Sequence, residues 1–447
     1  MMVSKHSVIL ILLVLRIGFP QFGAAQPYPA IEPLKKLAER AVRFSHLRQA
    51  NLAATLAIKT EAEYNSTGYL PRIATHGSFS YFKFLLPNKQ KLLGDSKSDI
   101  YTDISLVVPI YDWGRISARN EIVDHEVSYR EDFGRQVEFM LVRDVTDAYC
   151  EYLAATSEAA LHQIGLERLR DHLSIARRRY EIGRTPETDV LRIRFQIEAA
   201  DKDVQAARER VGRAYSTLQH LCFLDSTDSV VSPLQNDARL SVTPLLAVLQ
   251  DSLARTIAAR HPLLRMASSE YAMEQQQQEL ATLENRPEMN FFGIASWEDG
   301  SIPFGANFNY NIGIEVRYTL PFLGGSGYQS RIEQSEYRLA QKTEEQKQLT
   351  LELRMAIDRS LSVLGGLVTQ QAITDSMRVL AARSVEVARE MYNAGQVPIT
   401  DLLDAQASLT QTSITREALS IAFLKEYATL MYYAGNGHWL FNMEQQR

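Results

Sequence analysis

The feature that most constrains this chain of 447 residues is an internal repeat with one constant offset. Tyr180 recurs as Tyr392 and Gly183 as Gly395, each pair 212 positions apart. The same offset relates further pairs: Ala176-Arg177 with Ala388-Arg389, Pro186 with Pro398, Thr188-Asp189 with Thr400-Asp401, Leu191 with Leu403, Pro109 with Pro321 and Tyr215 with Tyr427. A fixed offset over such a length predicts two copies of one structural unit.

The repeat sets the expected domain organisation. We predict a first repeat at 26–223 and a second at 243–435, joined by a linker at 224–242 and followed by a tail at 436–447. Each repeat is expected to contain an initial helix, a β-hairpin and a helical hairpin, in that order.

Residues 1–25 form a separate leader in this scheme. A charged start precedes the apolar run Val8–Leu15, and small residues lead to Ala25. This pattern predicts a secretory signal peptide that is cleaved near Ala25. Beyond it, no stretch approaches the ~18 apolar residues that a membrane-spanning helix needs. Contact with a membrane would therefore have to be made by strands.

The β-hairpins are indicated by a period of two. From Phe308 to Leu320, apolar residues alternate strictly with polar residues or glycine, as expected for a strand with one apolar and one polar face. Residues 100–108 repeat the apolar alternation before Pro109. With their upstream partners, these segments predict β-hairpins at about 71–110 and about 287–321, each ending at a strand-helix junction at Pro109 or Pro321.

The pattern after each proline is helical. Apolar residues alternate steps of four and three from Ala148 to Tyr180 and again from Val190 to Leu221, on either side of a Gly/Pro turn. Two such seven-residue seams predict an antiparallel coiled-coil hairpin. We place the two helical hairpins at about 115–223 and 326–435. Rods of ~70 residues at 1.5 Å per residue are ~100 Å long, more than a globular domain requires.

Strands and rods together indicate a pore. A sheet facing lipid must close on itself, and four strands per chain cannot close. Two chains would supply eight strands and a filled interior, whereas three supply twelve and an open lumen. The expected fold is therefore mainly α with a membrane β-barrel, in which an internally duplicated unit forms a homotrimer in contact with outer-membrane lipid.

The residues also carry a resemblance. The two turns share the pattern Tyr-x-x-Gly-x-x-Pro-x-Thr-Asp-x-Leu, and strand-proline-helix junctions precede both rods. In these features and in its duplication the chain resembles the TolC-like outer-membrane efflux proteins. The resemblance implies a homotrimer with a twelve-stranded barrel in the outer membrane and a long α-barrel in the periplasm. It also implies a periplasmic adaptor protein and an inner-membrane pump as partners.

Site residues follow from the resemblance, which places both turns at the periplasmic tip. An aspartate ring at the pore constriction corresponds to Asp401 and Asp404. The alternative at this helix start is capping by Thr400 or Asp401. A gate link corresponds to Tyr392 with Asp189, while the family's second link lacks its arginine because Val397 stands opposite Thr188. The adaptor-docking tip corresponds to Ile182, Gly183, Arg184, Ala394, Gly395 and Gln396, although Gly183 and Gly395 could equally be ordinary turn glycines.

The two cysteines add a separate hypothesis. Cys150 and Cys222 lie at similar distances on either side of the first turn, so an antiparallel hairpin brings them to nearly the same height. An oxidising periplasm could join them in a disulfide. The alternative is a pair of buried free thiols, since neighbouring helices often hold Cα atoms too far apart for a bridge.

Other function classes are not supported. The net charge of −5 disfavours nucleic acid as a partner. No nucleophile elbow occurs and His125-Glu126 lacks the second histidine of a zinc site, so we expect no enzyme, no metal and no cofactor. The rival from another class is an exported periplasmic coiled-coil spacer without a pore. The cargo, small molecule or protein, stays open.

Overall fold

A computed structural model describes residues 31–83, 85–93, 96–225, 261–301, 305–318 and 327–442. The predicted signal peptide at 1–25, Pro321 and most of the predicted linker at 224–242 lie outside the described residues. The helices of the described part are α1 Ile31–Phe44, α2 His46–Ser66, α3 Pro87–Leu93, α4 Arg115–Glu181, α5 Glu187–Cys222, α6 Pro262–Leu283, α7 Gly327–Ala394, α8 Ile399–Tyr433 and α9 Trp439–Asn442. The strands are β1 Arg72–Lys83, β2 Ser96–Tyr111, β3 Glu288–Ser301 and β4 Gly305–Arg317.

The long helices dominate the molecule. Helices α4 and α7 contain 67 and 68 residues, which at 1.5 Å per residue gives each a length of about 100 Å. Helices α5 and α8 pack back along them and complete two helical hairpins. The starts of α4 and α7, and those of α5 and α8, are separated by the repeat offset of 212 residues. The predicted fold class, mainly helical with paired strands, is confirmed for the single chain.

The strands form one antiparallel sheet in the order β1-β2-β3-β4. The β2–β3 ladder pairs Val108 with Phe291 and joins the two repeats. β1 and β4 are the outer strands of this sheet, so each keeps one edge without a ladder among the described strands. The connection between β1 and β2 contains the short helix α3, which the alternation pattern did not predict.

The register places apolar side chains from all four strands on one face of the sheet. Ile73 pairs with Leu106, whose other neighbour Gly293 pairs with Ile312. The exposed members of this apolar face are Ile73, Phe79, Tyr81, Ile100, Ile104, Trp297, Phe308, Tyr310, Ile312, Ile314 and Val316. The opposite face is mainly polar and carries Arg72, His76, Ser78, Asp103, Ser105, Asn309 and Asn311, with Phe82, Val107, Phe292 and Ile294 among its apolar members. The predicted alternation therefore exists in three dimensions as two chemically distinct faces.

The first strand-helix junction differs from the prediction. β2 does not end at Pro109 but continues to Tyr111 through a bulge between the two residues. A bulge tolerates proline because the missing N–H would not complete a ladder hydrogen bond there. The turn itself is made by Asp112, whose carboxylate accepts hydrogen bonds from the N–H groups of Gly114 at 3.0 Å and Ile116 at 2.6 Å. Asp112 thus supplies the capping contacts at the start of α4.

The main hydrophobic core lies where α1, α4, α5, α8 and α9 meet. Tyr149 and Leu218 are fully buried there, together with Leu34 from the first helix. Among the described residues, no helix combines the length and the apolar composition required to cross a membrane.

Candidate gate at the hairpin tips

Both hairpin turns have the same backbone geometry. Gly183 and Gly395 are left-handed, with φ of 72° and 73°. The N–H of each glycine donates to the backbone carbonyl of the tyrosine three positions earlier, at 2.9 Å for Tyr180 and 3.1 Å for Tyr392. The next N–H along the chain bonds in both turns to a carbonyl five positions back. This is the hydrogen-bond pattern that ends a helix at a left-handed glycine, so the repeat extends to the level of single hydrogen bonds.

The tip surface is open. A Cβ atom on Gly183 or Gly395 would meet no atom within 4 Å. The six residues predicted to form the docking tip are all exposed: Ile182, Gly183, Arg184, Ala394, Gly395 and Gln396. The backbone of both turns is therefore accessible to another molecule, and the conformation itself accounts for the glycines.

Just behind the tip, an apolar cluster holds the two hairpins of one chain together. The buried members from the first hairpin are Ala176, Val190 and Ile193, and those from the second are Tyr392, Ile399, Leu402 and Leu403. Val397 packs against this cluster. Where the family's second gate link has an arginine, this chain therefore has an apolar contact.

The predicted link between Tyr392 and Asp189 is not formed within the chain. Tyr392 is 7% exposed, and its hydroxyl has no hydrogen-bond partner among the described residues. Its ring packs in the apolar cluster, so the side chain lies between the two hairpins. Asp189 lies in the first turn of α5, where its N–H donates to the Pro186 carbonyl at 3.2 Å. Thr188 is exposed.

The polar contact between the hairpins is instead made by Arg179. Its guanidinium donates to the Tyr392 carbonyl at 3.0 Å, and to the carbonyl and side-chain oxygen of Asn393 at 3.1 and 3.2 Å. It also lies 4.9 Å from the centre of the Tyr392 ring, within cation–π distance. Sequence reasoning missed this residue. The available signal was a break in the repeat, because Met391 stands where the second copy would repeat the arginine.

The two aspartates of the predicted constriction are exposed on α8. Asp401 lies in the first turn of this helix, which begins after Pro398 without a side-chain capping hydrogen bond. The capping alternative is therefore not realised as a hydrogen bond, although a carboxylate in the first turn still interacts favourably with the helix dipole. Asp404 lines a cleft of about 250 Å³ between the hairpins, together with Asp203 and His162.

The cysteines are free thiols, so the disulfide alternative is not formed in this structure. Cys150 and Cys222 both belong to the main hydrophobic core. Burial raises the pKa of each thiol to about 12. In addition, the described residues hold no group of three or more His, Cys, Asp or Glu side chains placed to bind a metal ion.

Comparison with known proteins gives consistent results. Residues 45–222 match the family model of the outer membrane efflux proteins. No curated protein sequence matches significantly.

Among solved structures, the chain is similar to CusC, with 16% identity, a TM-score of 0.75 and coverage of 90% of this chain and 92% of that one. It is also similar to the outer membrane channel CmeC of Campylobacter jejuni, with 14% identity, a TM-score of 0.75 and coverage of 91% and 86%. A third similar structure is a membrane protein from Pseudomonas aeruginosa, with 15% identity and a TM-score of 0.77. The match covers 91% of this chain and 92% of that one. Over residues 45–222 the chain therefore resembles the outer membrane efflux proteins, and over at least 90% of its length it has the fold of these solved structures.

Proposed function

We propose that three copies of this chain form a channel that exports small molecules or proteins from the periplasm, docked to an adaptor protein and an inner-membrane pump. The observation that carries the proposal is the sheet, in which one face is apolar and exposed across all four strands. Such a face is stable against lipid and unfavourable in water.

The free edges of β1 and β4 support closure by other copies. In hydrocarbon, each unpaired backbone group costs several kcal/mol, so the outer strands require partners. Twelve strands from three chains would enclose a lumen, whereas eight would leave an interior filled by side chains. The rods of about 100 Å would then continue the lumen across the periplasm.

The spacer alternative uses the rods but has no role for the sheet. A spacer in the periplasm would expose the aromatic and branched side chains of the apolar face, such as Phe308, Tyr310 and Ile312, to water. Exposed apolar patches of this kind mark contact with a membrane or a partner. The channel accounts for this face, and the spacer does not.

At the tip, Asp401 and Asp404 are proposed to line the constriction. Three chains would bring six carboxylates around one axis, two from each, and would favour cations over anions there. Replacement of both by asparagine should lower the cation preference of the channel. An unchanged reversal potential in a salt gradient would remove these residues from the constriction.

The exposed turns at Ile182–Arg184 and Ala394–Gln396 are proposed to receive the adaptor. Their left-handed glycines leave the backbone uncovered for close approach. Crosslinking from cysteines introduced at Arg184 and Gln396 should capture the adaptor in cells. Crosslinking that is equally efficient from exposed positions in the middle of α5 would contradict this assignment.

The channel itself is tested by extraction, mass and conductance. We expect the full chain to stay in membranes after carbonate washing, to require detergent, and to give the mass of three chains by light scattering. Purified protein should form ion-conducting pores in planar bilayers. A monomer that dissolves in buffer without detergent would refute the channel and favour the spacer.

A further inference from the structure

A basic groove lies where the sheet joins the rods. It has a volume of about 550 Å³ and runs between the ends of α2 and α6 and the starts of α4 and α7. Its charged lining consists of Arg115, Arg119, Arg331 and Arg338 with Glu274 and Glu284. A neighbouring cleft of about 360 Å³ shares Asn65 and Arg119 with it and adds Arg72. We call the two clefts together the junction groove.

The arginines of the junction groove are not all neutralised. Arg115 forms an ion pair with Glu288 at 3.1 Å, and Arg331 forms one with Glu284. The remaining three, Arg72, Arg119 and Arg338, are exposed. In the part of the chain that the structure describes, they form no ion pair, and neither does Glu274. Three unpaired arginines against one unpaired glutamate leave a surplus of two positive charges per chain.

Arg72 connects the groove to one face of the sheet. Arg72 lies on the polar face of β1, the face on which His76 and Asp103 approach each other to 3.6 Å. If the apolar face meets lipid, the polar face and the groove that continues it open into the lumen. The surplus charge then lies on the pore surface, at the opposite end of the rods from Asp401 and Asp404.

We propose that the junction groove is an oxyanion-binding surface of the pore lumen, which recognises carboxylate or phosphate groups on exported molecules. Guanidinium groups bind both in a two-pronged geometry, and their affinity is greatest where no resident carboxylate competes. The inference rests on the proposed channel function. Three chains would place six surplus positive charges at the junction, two from each, and so produce a field opposite in sign to that of the tip.

The test uses the full-length protein in planar bilayers, with the double variant Arg119→Gln/Arg338→Gln. Both side chains are exposed and unpaired within the described chain, so their replacement leaves no buried partner and the fold is retained. In a KCl gradient, we expect the anion-to-cation permeability ratio to fall at least about twofold. Inorganic pyrophosphate is the probe for binding, and its half-blocking concentration should rise about tenfold, because each pore loses several charge-assisted hydrogen bonds.

Two matched variants sharpen the result. Arg119→Lys/Arg338→Lys keeps the charge, so it should preserve the permeability ratio while weakening pyrophosphate block, since lysine lacks the planar fork. Arg213→Gln removes one exposed charge from α5, outside the groove, and should change neither quantity. Conducting pores with unchanged selectivity and block in the glutamine variant would overturn the groove assignment alone. The absence of conducting pores from the wild-type protein would instead overturn the channel, and the inference with it.

Discussion

Arg179 and Tyr392 connect the two hairpin tips of one chain through both the backbone and the ring. The guanidinium donates to the Tyr392 carbonyl at 3.0 Å and lies 4.9 Å from the ring centre. Tyr392 is at the same time buried in the apolar cluster shared by the two hairpins. Any movement that separates the hairpins at the tip must therefore break the arginine contacts first or carry Arg179 along.

Arg179→Met should loosen the tip. Hydrogen bonds from a charged donor are worth about 1.5–3 kcal/mol, and partial exposure places this tie near the lower end of that range. We expect a higher open probability or a larger conductance in single-channel recordings. Arg184→Met, at the exposed tip of the same hairpin, is the control and should behave as the wild type. Equal conductance in the two variants would show that Arg179 does not restrain opening.

Tyr392→Phe should have little effect on opening. The Tyr392 hydroxyl is buried without a hydrogen-bond partner in the described chain, so its removal keeps the ring stacked under Arg179 and breaks no tie within the protomer. A clear conductance gain in this variant, measured as for Arg179→Met, would mean that the hydroxyl binds a neighbouring chain. That result would support the link between Tyr392 and Asp189 that the family resemblance predicts.

Gly395→Ala should destabilise the second turn. A side chain in the left-handed region costs about 1–2 kcal/mol even where space is free, and Gly395 has φ of 73° with open space around it. Gly395→Asn should lose less stability than Gly395→Ala, because asparagine tolerates the left-handed conformation. The control is Gly212→Ala in the middle of α5, which should raise stability by about 0.5–1 kcal/mol. Thermal unfolding followed by circular dichroism should show shifts of opposite sign, and shifts of the same sign would contradict the argument.

Stability should fall between pH 6.5 and pH 4 because of His261. This residue is fully buried at the start of α6, where Nδ1 accepts a hydrogen bond from the Leu263 N–H at 3.2 Å. Burial lowers its pKa from 6.5 to about 4. The unfolded chain therefore binds a proton in this window that the folded chain does not, and protonation favours unfolding by up to about 3 kcal/mol at the acid end.

The check is denaturant unfolding at a series of pH values. His261→Asn keeps a capping side chain and removes the titrating group, so its unfolding free energy should depend less steeply on pH than that of the wild type. Parallel pH profiles for the two proteins would show that another group controls acid stability.

Thiol labelling should separate native from unfolded protein. Cys150 and Cys222 are buried, and their thiols have pKa values of about 12, so almost no thiolate is present near neutral pH. We expect no labelling of the native protein, and two labels per chain after denaturation without a reductant. Failure to label the denatured chain until a reductant is added would instead establish the disulfide.

The sequence by itself determined the architecture of the single chain, because periodicity is local. Strict alternation from Phe308 reflects the geometry of one strand, and the heptads around Gly183 reflect that of one helix. The 212-residue offset shows that the same local patterns occur twice. The exposed glycine turns follow in the same way, since their left-handed backbone is fixed by a few neighbouring residues.

Only the tertiary structure decided which side chains meet. The pairing of Arg179 with Tyr392 joins residues that are 213 positions apart and depends on how two hairpins stack. For the same reason, no periodic pattern in the sequence indicates the bulge at Pro109. None indicates the groove shared by Arg72, Arg119 and Arg338. Packing also buries the ring of Tyr392 in the cluster that contains Val190, Ile193 and Leu402, and its hydroxyl has no hydrogen-bond partner among the described residues of the chain.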